Sequence, residues 1–502
     1  MMKQKLFSVI SLLLTALAAG TVLISCGGQS ETQTGAENTA PVQENAAGTE
    51  TAAPETEGSP LDLLPAKDFG GEAFTILTNN RTDDYGSVEF AAQEMDGTLI
   101  NDAVFLRNST IESRYHVDLI AQPMNNEAAA LKKSVLSGDT AYDVALIGLT
   151  DAGSLALEHL LADLRELPYL DFSAAWWDHN ASDGLSLGGK LYMTLGDMNI
   201  NDKDMTWCLF FDKKLAGDYD LPDLYALAKE KKWTFDVFAS LIKNITNDVN
   251  GDGVYDERDL WGHVTVYARS TIAYLYSMGL SFIGKNGEDY PVLNLDQPQI
   301  YDAYETVRTL FHSENMCHDV ETMPYDGYPH QWRKCEAMFG AQQILFYAEA
   351  MQNAERFRTF ENDFGILPLP SAEEGQYGRH MVWRESYATV APTTILDSEE
   401  HTEKVGLLLE AIQAESHSTV LPAYYDKALK SKFSRDESSS DMIDIIFATR
   451  YYDIATYYGW GKLSDTVMQY GKSGKTDLSS KLESIRSKTE SALEETIAEL
   501  QS

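Results

Sequence analysis

From residue 73 onward, apolar runs alternate with amphipathic stretches. Residues 73–77 (AFTIL) predict a first strand, residues 99–115 a helix, and residues 117–120 (VDLI) a second strand. After a further helical stretch, residues 143–148 (DVALIG) form an apolar run of the kind found in buried parallel strands. This alternation of strands and helices predicts an α/β fold with a mainly parallel, doubly wound sheet.

A second α/β pattern follows in the chain. Residues 205–213 (MTWCLFFDK) and 364–370 (FGILPLP) predict strands, and the helix cap Thr234 opens a helical stretch between them. Residues 381–392 (MVWRESYATVAP) predict one more strand, which would connect the two groups of elements. The remainder is mostly helical and ends in an amphipathic helix at residues 478–500, so the pattern predicts two α/β bodies and a helical C-terminal region.

The first 25 residues have the pattern of an export signal. Lys3 and Lys5 precede an apolar run at residues 6–24, whose length would also allow a membrane-spanning anchor. The run ends in residues 23–27 (LISCG), which match the lipobox of bacterial lipoproteins, where the cysteine thiol is lipidated and becomes the mature N-terminus. We therefore expect a signal peptide at residues 1–25 and lipid chains at Cys26 that hold the protein on the outer face of the cell membrane.

Residues 26–65 predict a tether. Between residues 27 and 60 the chain is rich in Gly, Ala, Thr, Gln, Pro and Glu, and contains no lysine, arginine or aromatic residue. Such a composition cannot bury a core. As a flexible linker it would span roughly 30–35 Å, which would place the folded body just above the membrane.

Charge narrows the range of partners. The chain carries a formal charge of −38 at pH 7, a field of the wrong sign for a protein that neutralises phosphates, so we expect no nucleic-acid partner. A mean hydropathy of −0.28 excludes a polytopic membrane protein. Four cysteines are too few for a disulfide scaffold in a chain of 502 residues.

Residues 248–259 (DVNGDGVYDERD) have the spacing of an EF-hand calcium loop. Oxygen ligands stand at positions 1, 3, 5, 9 and 12, and glycine stands at position 6. The following residues 261–266 predict a strand and not an exiting helix, which favours a structural Ca²⁺ clip over a sensor; a solvated turn is the alternative. The expected ligands are Asp248, Asn250, Asp252, the Val254 carbonyl, Asp256 and Asp259.

Several short segments then occur in a recognisable order. Besides the lipobox, they are residues 115–117 (YHV), 137–138 (SG), 142–144 (YDV), 189–192 (GKLY), 211–215 (FDKKL), 232–236 (KWTFD), 334–339 (KCEAMF) and 365–370 (GILPLP). Their order resembles the extracellular solute-binding lipoproteins of bacterial carbohydrate ABC importers, family 1, the maltose-binding type. Phe211-Asp212 stands where that family commonly has tyrosine-asparagine, so the resemblance leaves the solute open.

The resemblance implies a periplasmic-binding-protein-like type II fold with two α/β lobes joined by crossing strands. The N-terminal lobe would comprise residues 66–207 and 383–430, and the C-terminal lobe residues 208–382 and 431–502. The resemblance further implies a monomer without enzymatic activity. Such a protein binds a carbohydrate between its lobes, and we expect the carbohydrate to be an oligosaccharide. Closure of the lobes would report the bound solute to the membrane subunits of an ABC permease.

Candidate cleft residues combine aromatic rings with polar groups, because sugars present apolar C–H faces and hydroxyl edges. Residues 383–385 (WRE) are the strongest candidates, since an aromatic beside two charged side chains is a costly choice for a core. Residues 79–81 (NNR) follow the first strand, where open α/β sheets bind ligands. Each candidate has a core or solvated-loop alternative; the full set is Asn79, Asn80, Arg81, Trp177, Asp202, Asp204, Trp207, Trp383, Arg384 and Glu385.

Other chemistries remain as alternatives. A surface glycoside hydrolase would use two carboxylates on the same class of sugar, and the binding fold could instead carry a peptide or another solute. The G-x-S-x-G match at residues 184–188 is followed by a predicted strand where a nucleophile elbow requires a helix. Cys317 and Cys335 could form a disulfide, or bind zinc with His318 and His330, or remain free thiols.

Overall fold

Two open β-sheets organise the folded part of the chain. The computed structural model describes residues 59–80, 90, 92–429 and 437–501, with backbone alone at 426–429 and 437. The signal peptide, Cys26, most of the tether and Arg81 lie outside the described residues. The strands are β1 (Glu72–Asn79), β2 (Val117–Met124), β3 (Val144–Gly148), β4 (Trp207–Asp212), β5 (Trp261–Thr265), β6 (Ile283–Lys285), β7 (Pro291–Leu293), β8 (Cys317–Asp319), β9 (Ile344–Ala350), β10 (Phe364–Leu367), β11 (His380–Met381), β12 (Tyr387–Val390) and β13 (Arg450–Tyr451).

Helices cover both sheets and dominate the last quarter of the chain. They are α1 (Leu99–Tyr115), α2 (Glu127–Ser137), α3 (Leu149–Leu157), α4 (His179–Gly184), α5 (Asn201–Asp204), α6 (Lys213–Asp218), α7 (Leu224–Lys229), α8 (Phe235–Ile242), α9 (Tyr267–Ser277), α10 (Pro298–His312), α11 (Gln331–Gly340), α12 (Asn353–Phe357), α13 (Glu399–Ser418), α14 (Val420–Leu429), α15 (Glu437–Ala448), α16 (Ile454–Tyr457), α17 (Leu463–Ser473) and α18 (Leu478–Leu500). No helix in the described residues is both long and apolar enough to cross a membrane.

The first sheet has the strand order β12-β3-β1-β2. Strand β1 runs parallel to β2 from Glu72↔Val117 to Asn79↔Met124, and parallel to β3 on its other side. Strand β12 returns antiparallel to β3. Helices α1 and α2 form the two crossovers, and α1 has the predicted bounds, so the predicted doubly wound α/β arrangement is confirmed for this part of the chain.

The second sheet has the order β10-β4-β9-β5-β8. Strands β9, β5 and β8 are parallel, whereas β4 is antiparallel to β9 with Trp207 opposite Ala350. This register brings the first residue of β4 to the carboxyl end of β9. The same edge carries the beginnings of the helices that follow the parallel strands, which is where α/β sheets bind ligands.

Three chain segments pass side by side between the sheets; we call residues 200–206, 380–386 and 449–453 the crossing segments. Thr206 forms a bridge with Val382, and the main-chain N–H of Trp383 donates to Met205 over 2.9 Å. Strand β11 pairs in parallel with β13. Two of the crossing segments lie close to the predicted lobe boundaries at 207/208 and 382/383, and the boundaries themselves stay predictions.

The predicted strand at residues 381–392 is divided in the structure. The two strands of this range are β11 and β12, and a turn between them is closed by the N–H of Ser386, which donates to the Trp383 carbonyl over 2.8 Å. The turn places Arg384 and Glu385 outside any sheet. Sequence pattern missed it because the turn contains neither glycine nor proline.

Each sheet packs its own core. Around the first sheet, Phe74, Ile76 and Leu146 pack with Leu408 and Ile412 of α13, all fully buried. Around the second sheet, Phe210 meets Phe357 edge to face with ring centroids 5.0 Å apart, within a cluster that includes Tyr347 and Phe364. A third cluster spans both sheets and the C-terminal helices, so burial of apolar surface also holds the two halves together.

Candidate functional site

A cavity of about 320 Å³ lies where the crossing segments meet the second sheet. Trp207 at the start of β4 and Glu349 and Ala350 at the end of β9 form one side, as the antiparallel register requires. Arg269 in the first turn of α9 and Trp332 in the first turn of α11 form the other. Residues of the crossing segments and of neighbouring loops complete the lining; they are Met205, His330, Gln352, Trp383 and Glu385.

Three indole rings dominate the wall of this cavity. The ring centroids of Trp207 and Trp383 are 6.2 Å apart and the rings are inclined by 46°. The guanidinium of Arg269 lies 4.7 Å from the ring centroid of Trp383 and 5.5 Å from that of Trp332. A cation held against ring faces keeps the aromatic wall ordered and adds hydrogen-bond donors beside it.

Glu349 is the buried charge of the cavity. It lies in β9, a strand whose other residues are apolar, and its Oε1 accepts from the N–H of Ala350 over 3.0 Å. Burial raises the pKa of Glu349 to about 7, although the nearby Arg269 charge opposes this change. The carboxyl group is therefore poised between its neutral and ionised forms near physiological pH.

A second cavity of about 350 Å³ lies at the first sheet. It is found at the carboxyl ends of β2 and β3 and at the first turns of α2 and α3, and it shares Glu385 with the first cavity. Its lining is more polar than that of the first cavity and consists of Asn125, Asn126, Glu127, Gly148, Thr150, Asp151, Arg384, Glu385 and Tyr387. The two cavities thus border one turn, between β11 and β12, from opposite sheets.

Four of the residues predicted to bind a ligand line these cavities. Trp207, Trp383 and Glu385 line the first, and Arg384 and Glu385 line the second. Arg384 also donates to Asp465 over 2.6 Å. Asn80 lies beside the second cavity, where its Nδ2 donates to Asn125 over 3.1 Å.

Other predicted residues line neither cavity and are buried or half-buried. The indole of Trp177 donates to Glu410 over 2.8 Å. Asp202 is fully buried and pairs with Arg450 over 2.6 Å, while Asp204 accepts from the Tyr424 hydroxyl over 3.0 Å. Asn79 is buried at the end of β1. Desolvation makes such polar groups costly unless they are paired, and these pairs account for Trp177, Asp202 and Asp204 in structural terms.

Sequence reasoning missed Arg269, Trp332 and Glu349. The signal for Glu349 was present, because a lone carboxylate within residues 344–350 (ILFYAEA) is unusual for a buried strand. For Arg269 and Trp332 no local pattern was available. They meet at the cavity only because the first turns of α9 and α11 share an edge of the second sheet.

The predicted calcium loop forms a series of tight turns. Asp248 accepts from the N–H of Gly251 over 2.7 Å, Asn250 from Asp252 over 2.9 Å, and Asp252 from Val254 over 2.9 Å. Carboxylate and amide oxygens of this kind are the ligands that Ca²⁺ prefers. In the described residues, however, no group of three or more acidic, histidine or cysteine side chains is arranged to hold a metal, and Arg258 pairs with Asp252 and Asp256 over 2.8 and 2.5 Å.

The three cysteines in the described residues are not bonded to one another. Cys208, Cys317 and Cys335 are buried free thiols, so the structure holds no Cys317–Cys335 disulfide. Of the histidines considered with them, His318 stacks on Trp261 with centroids 4.7 Å apart and His330 lines the first cavity. These cysteine and histidine side chains therefore do not form the zinc site that the sequence left as an alternative.

Comparison with protein families gives a direct match. Residues 112–416 match the family model described as bacterial extracellular solute-binding protein. This match covers more than half of the chain, and the chain belongs to that family. Comparison with curated protein sequences finds no significant match.

Solved structures of similar fold share little sequence with this chain. They include UspC of M. tuberculosis (14% identity, 84% of this chain and 100% of that chain, TM-score 0.55). The maltose/maltodextrin-binding domain MalE from Bdellovibrio bacteriovorus bound to maltotriose aligns at 15% identity over 84% and 100% of the chains, with a TM-score of 0.51. A cyclo/maltodextrin-binding protein complexed with maltotetraose aligns at 13% over 86% and 96%, with a TM-score of 0.52. These similarities establish the two-lobed periplasmic-binding-protein-like fold.

Proposed function

We propose that this protein is the substrate-binding component of an ABC importer and binds an oligosaccharide between its two sheets. The observation that carries the proposal is the first cavity, which Trp207, Trp332 and Trp383 line together with the buried carboxylate of Glu349. Ring faces complement the C–H faces of a sugar, and carboxylate and guanidinium groups complement its hydroxyl edges.

The position of the cavities supports a receptor that closes on its solute. The first cavity belongs to the second sheet, the second cavity to the first sheet, and both touch the turn at Arg384 and Glu385. A ligand that contacts both halves stabilises the closed arrangement by its differential affinity for it. Two of the similar structures contain maltotriose and maltotetraose, which supports an oligosaccharide of comparable length as the solute.

A surface glycoside hydrolase is the second candidate, and one observation favours it. Glu349 has a pKa raised to about 7 by burial, as a general acid requires, and Glu385 lines the same cavity. Family membership favours binding without cleavage. The two functions predict different products from the same incubation.

A thermal-shift screen with product analysis tests the proposal. Purified protein is incubated with maltotriose, maltotetraose, cellotriose, xylotriose, a tripeptide and spermidine. We expect at least one oligosaccharide to raise the Tm and to be recovered intact. New reducing ends would establish the hydrolase, and a shift with the peptide or the polyamine alone would contradict carbohydrate as the solute.

We also propose that lipid at Cys26 attaches the protein to the outer face of the cell membrane, beside the permease that receives its solute. The lipobox at residues 23–27 supports this attachment. Fractionation of cells tests it: the wild type should sediment with membranes, and Cys26→Ser should leave the membrane fraction. Equal distribution of the two forms would contradict lipid anchoring.

Finally, we propose that residues 248–259 bind a structural Ca²⁺ ion. The oxygen donors and the turns at Asp248, Asn250 and Asp252 support the site. Arg258 would have to release Asp252 and Asp256, because its guanidinium neutralises carboxylates that the ion needs. Ca²⁺, with its higher charge, would then take the place of the Arg258 guanidinium and hold the loop in one conformation.

A further inference from the structure

Two residues that line the first cavity each carry a deeply buried polar atom without a hydrogen-bond partner among the described residues. The atoms are Oε2 of Glu349 and the indole Nε1 of Trp383. The two residues are only 4% and 5% exposed, respectively, and both line the cavity. A buried polar group without a hydrogen bond costs free energy, so each such atom requires an explanation.

The missing partner of Trp383 is exceptional within this protein. Each other buried indole donates its N–H to an oxygen atom. The acceptors are Glu410 for Trp177, Ser270 for Trp207, the Pro368 carbonyl for Trp233, the Asp256 carbonyl for Trp261 and Thr496 for Trp460. Even Trp207, which lines the same cavity, has an acceptor, so among the buried indoles of the described residues the N–H of Trp383 alone is left without one.

The carboxylate of Glu349 is likewise hydrogen-bonded through only one of its two oxygen atoms. Its Oε1 accepts from the N–H of Ala350, while its buried Oε2 has no donor. The charge of this carboxylate is already opposed by Arg269 and Arg356. A further cation is thus not needed, and a neutral donor such as a hydroxyl group is the better match.

We propose that Glu349 and Trp383 bind the hydroxyl edge of one neutral sugar unit, whose O–H donates to Glu349 Oε2 and whose oxygen accepts from Trp383 Nε1. The inference rests on the proposed function and deepens it, because it assigns the two residues that determine specificity for a hydroxyl-bearing solute. Trp207 and Trp332 provide ring faces beside this edge, and Arg269 holds Trp383 in place.

The assignment predicts how affinity changes with pH. A hydroxyl that donates to Oε2 favours the ionised form of Glu349, whose pKa in the free protein is raised by burial to about 7. Affinity is therefore complete above this pKa and is lost as pH falls through it. The charged or titratable groups that face Glu349 from neighbouring elements are Arg269, Arg356, Glu336, Cys208 and Cys335.

Calorimetric titration of full-length protein with maltotriose, cellotriose and xylotriose tests the assignment. For the sugar that binds, we expect the wild-type Kd to rise about tenfold between pH 8 and pH 6. Glu349→Gln should bind about tenfold or more weakly at pH 8 and lose the dependence on pH. Trp383→Phe keeps a ring but lacks the N–H, so it should bind more weakly at both pH values and keep the wild-type slope.

Glu410→Gln is the matched control. Glu410 is also buried, its pKa is also raised to about 7 by burial, and it accepts from Trp176 and Trp177 away from both cavities. This variant should retain the affinity and the pH slope of the wild type. If Glu349→Gln does not fold, the pH dependence of the wild-type Kd and the affinity of Trp383→Phe still test the assignment.

The outcomes separate this inference from the proposed function. A sugar that binds the wild type and both cavity variants equally, without dependence on pH, would overturn the assignment of Glu349 and Trp383 alone. Loss of the pH slope in Glu410→Gln would also overturn it. Failure of all three sugars to bind the wild type would contradict both proposals.

Discussion

Trp332 contributes the most accessible of the three indole rings of the first cavity. It is half-buried at the start of α11, and the guanidinium of Arg269 lies against it. We predict that Trp332→Ala weakens binding of the oligosaccharide identified by the thermal-shift screen about tenfold, because it removes a stacking face and loosens Arg269. Calorimetric titration measures the change.

Trp176→Ala is the control for this substitution. Trp176 is also half-buried, but it donates to Glu410 and lies outside both cavities. Its removal should lower the Tm and leave sugar affinity unchanged. Equal affinities in Trp332→Ala and the wild type would show that this ring does not contact the solute.

At the scale of single residues, the sequence identified cavity residues where an aromatic and charges stood together, as at Trp383 and Glu385. It could not separate these from Trp177 and Asp202, which have the same composition but are paired inside the protein with Glu410 and Arg450. Whether a polar side chain faces a cavity or an internal partner depends on contacts between distant segments, which one sequence does not reveal.

At the scale of elements, the crossing segments are held by a buried ion pair. Arg450 donates to Asp202 over 2.6 Å and to Asp178 over 2.9 Å. We predict that Arg450→Met lowers the free energy of unfolding by about 3–5 kcal/mol, because it leaves the buried carboxylate of Asp178 without its counter-charge and leaves Asp202 with Lys203 alone, 3.4 Å away. Urea denaturation measures the loss.

An exposed pair provides the comparison. Arg486 pairs with Asp296, whose side chain is 85% exposed. Arg486→Met should cost less than about 1 kcal/mol. Similar losses in the two variants would mean that the pair at the crossing segments contributes no more than a surface contact.

The loop at residues 248–259 is a second element with a direct test. We predict that chelation of calcium with EGTA lowers the Tm of the wild type, and that Asp252→Ala abolishes this sensitivity because position 5 of the loop loses its ligand. Differential scanning fluorimetry measures both. Asp236→Ala, which changes an exposed acid on α8, should retain the sensitivity; an unchanged wild-type Tm in excess chelator would contradict the site.

The elements themselves were largely predictable. Helices α1 and α18 have the predicted bounds because apolar spacing and sequence length define them well. The turn within residues 381–392 was not predicted, since its residues are compatible with a strand and the chain is held there by tertiary hydrogen bonds, from Trp383 to Met205 and from Tyr387 to Asn201. That turn separates the two cavities, so the least predictable element is also the one nearest the site.

At the scale of the whole molecule, the order of strands and helices predicted two α/β bodies, and the family resemblance implied the two-lobed fold that family membership and similar structures support. The order of elements determines topology through short, right-handed connections, so it persists at 13–15% sequence identity. The solute is determined by a few side chains at the edges of the sheets, and these vary without altering the topology.

In the function proposed above, the intact protein binds an oligosaccharide between its sheets and releases it uncleaved. Calorimetric titration with maltotriose, maltotetraose, cellotriose and xylotriose, followed by chromatography of the recovered sugar, tests this most directly. We predict saturable heat with one site per chain for at least one of them and complete recovery of the starting sugar. Absence of saturable heat with every sugar, or the appearance of shorter products, would contradict this function.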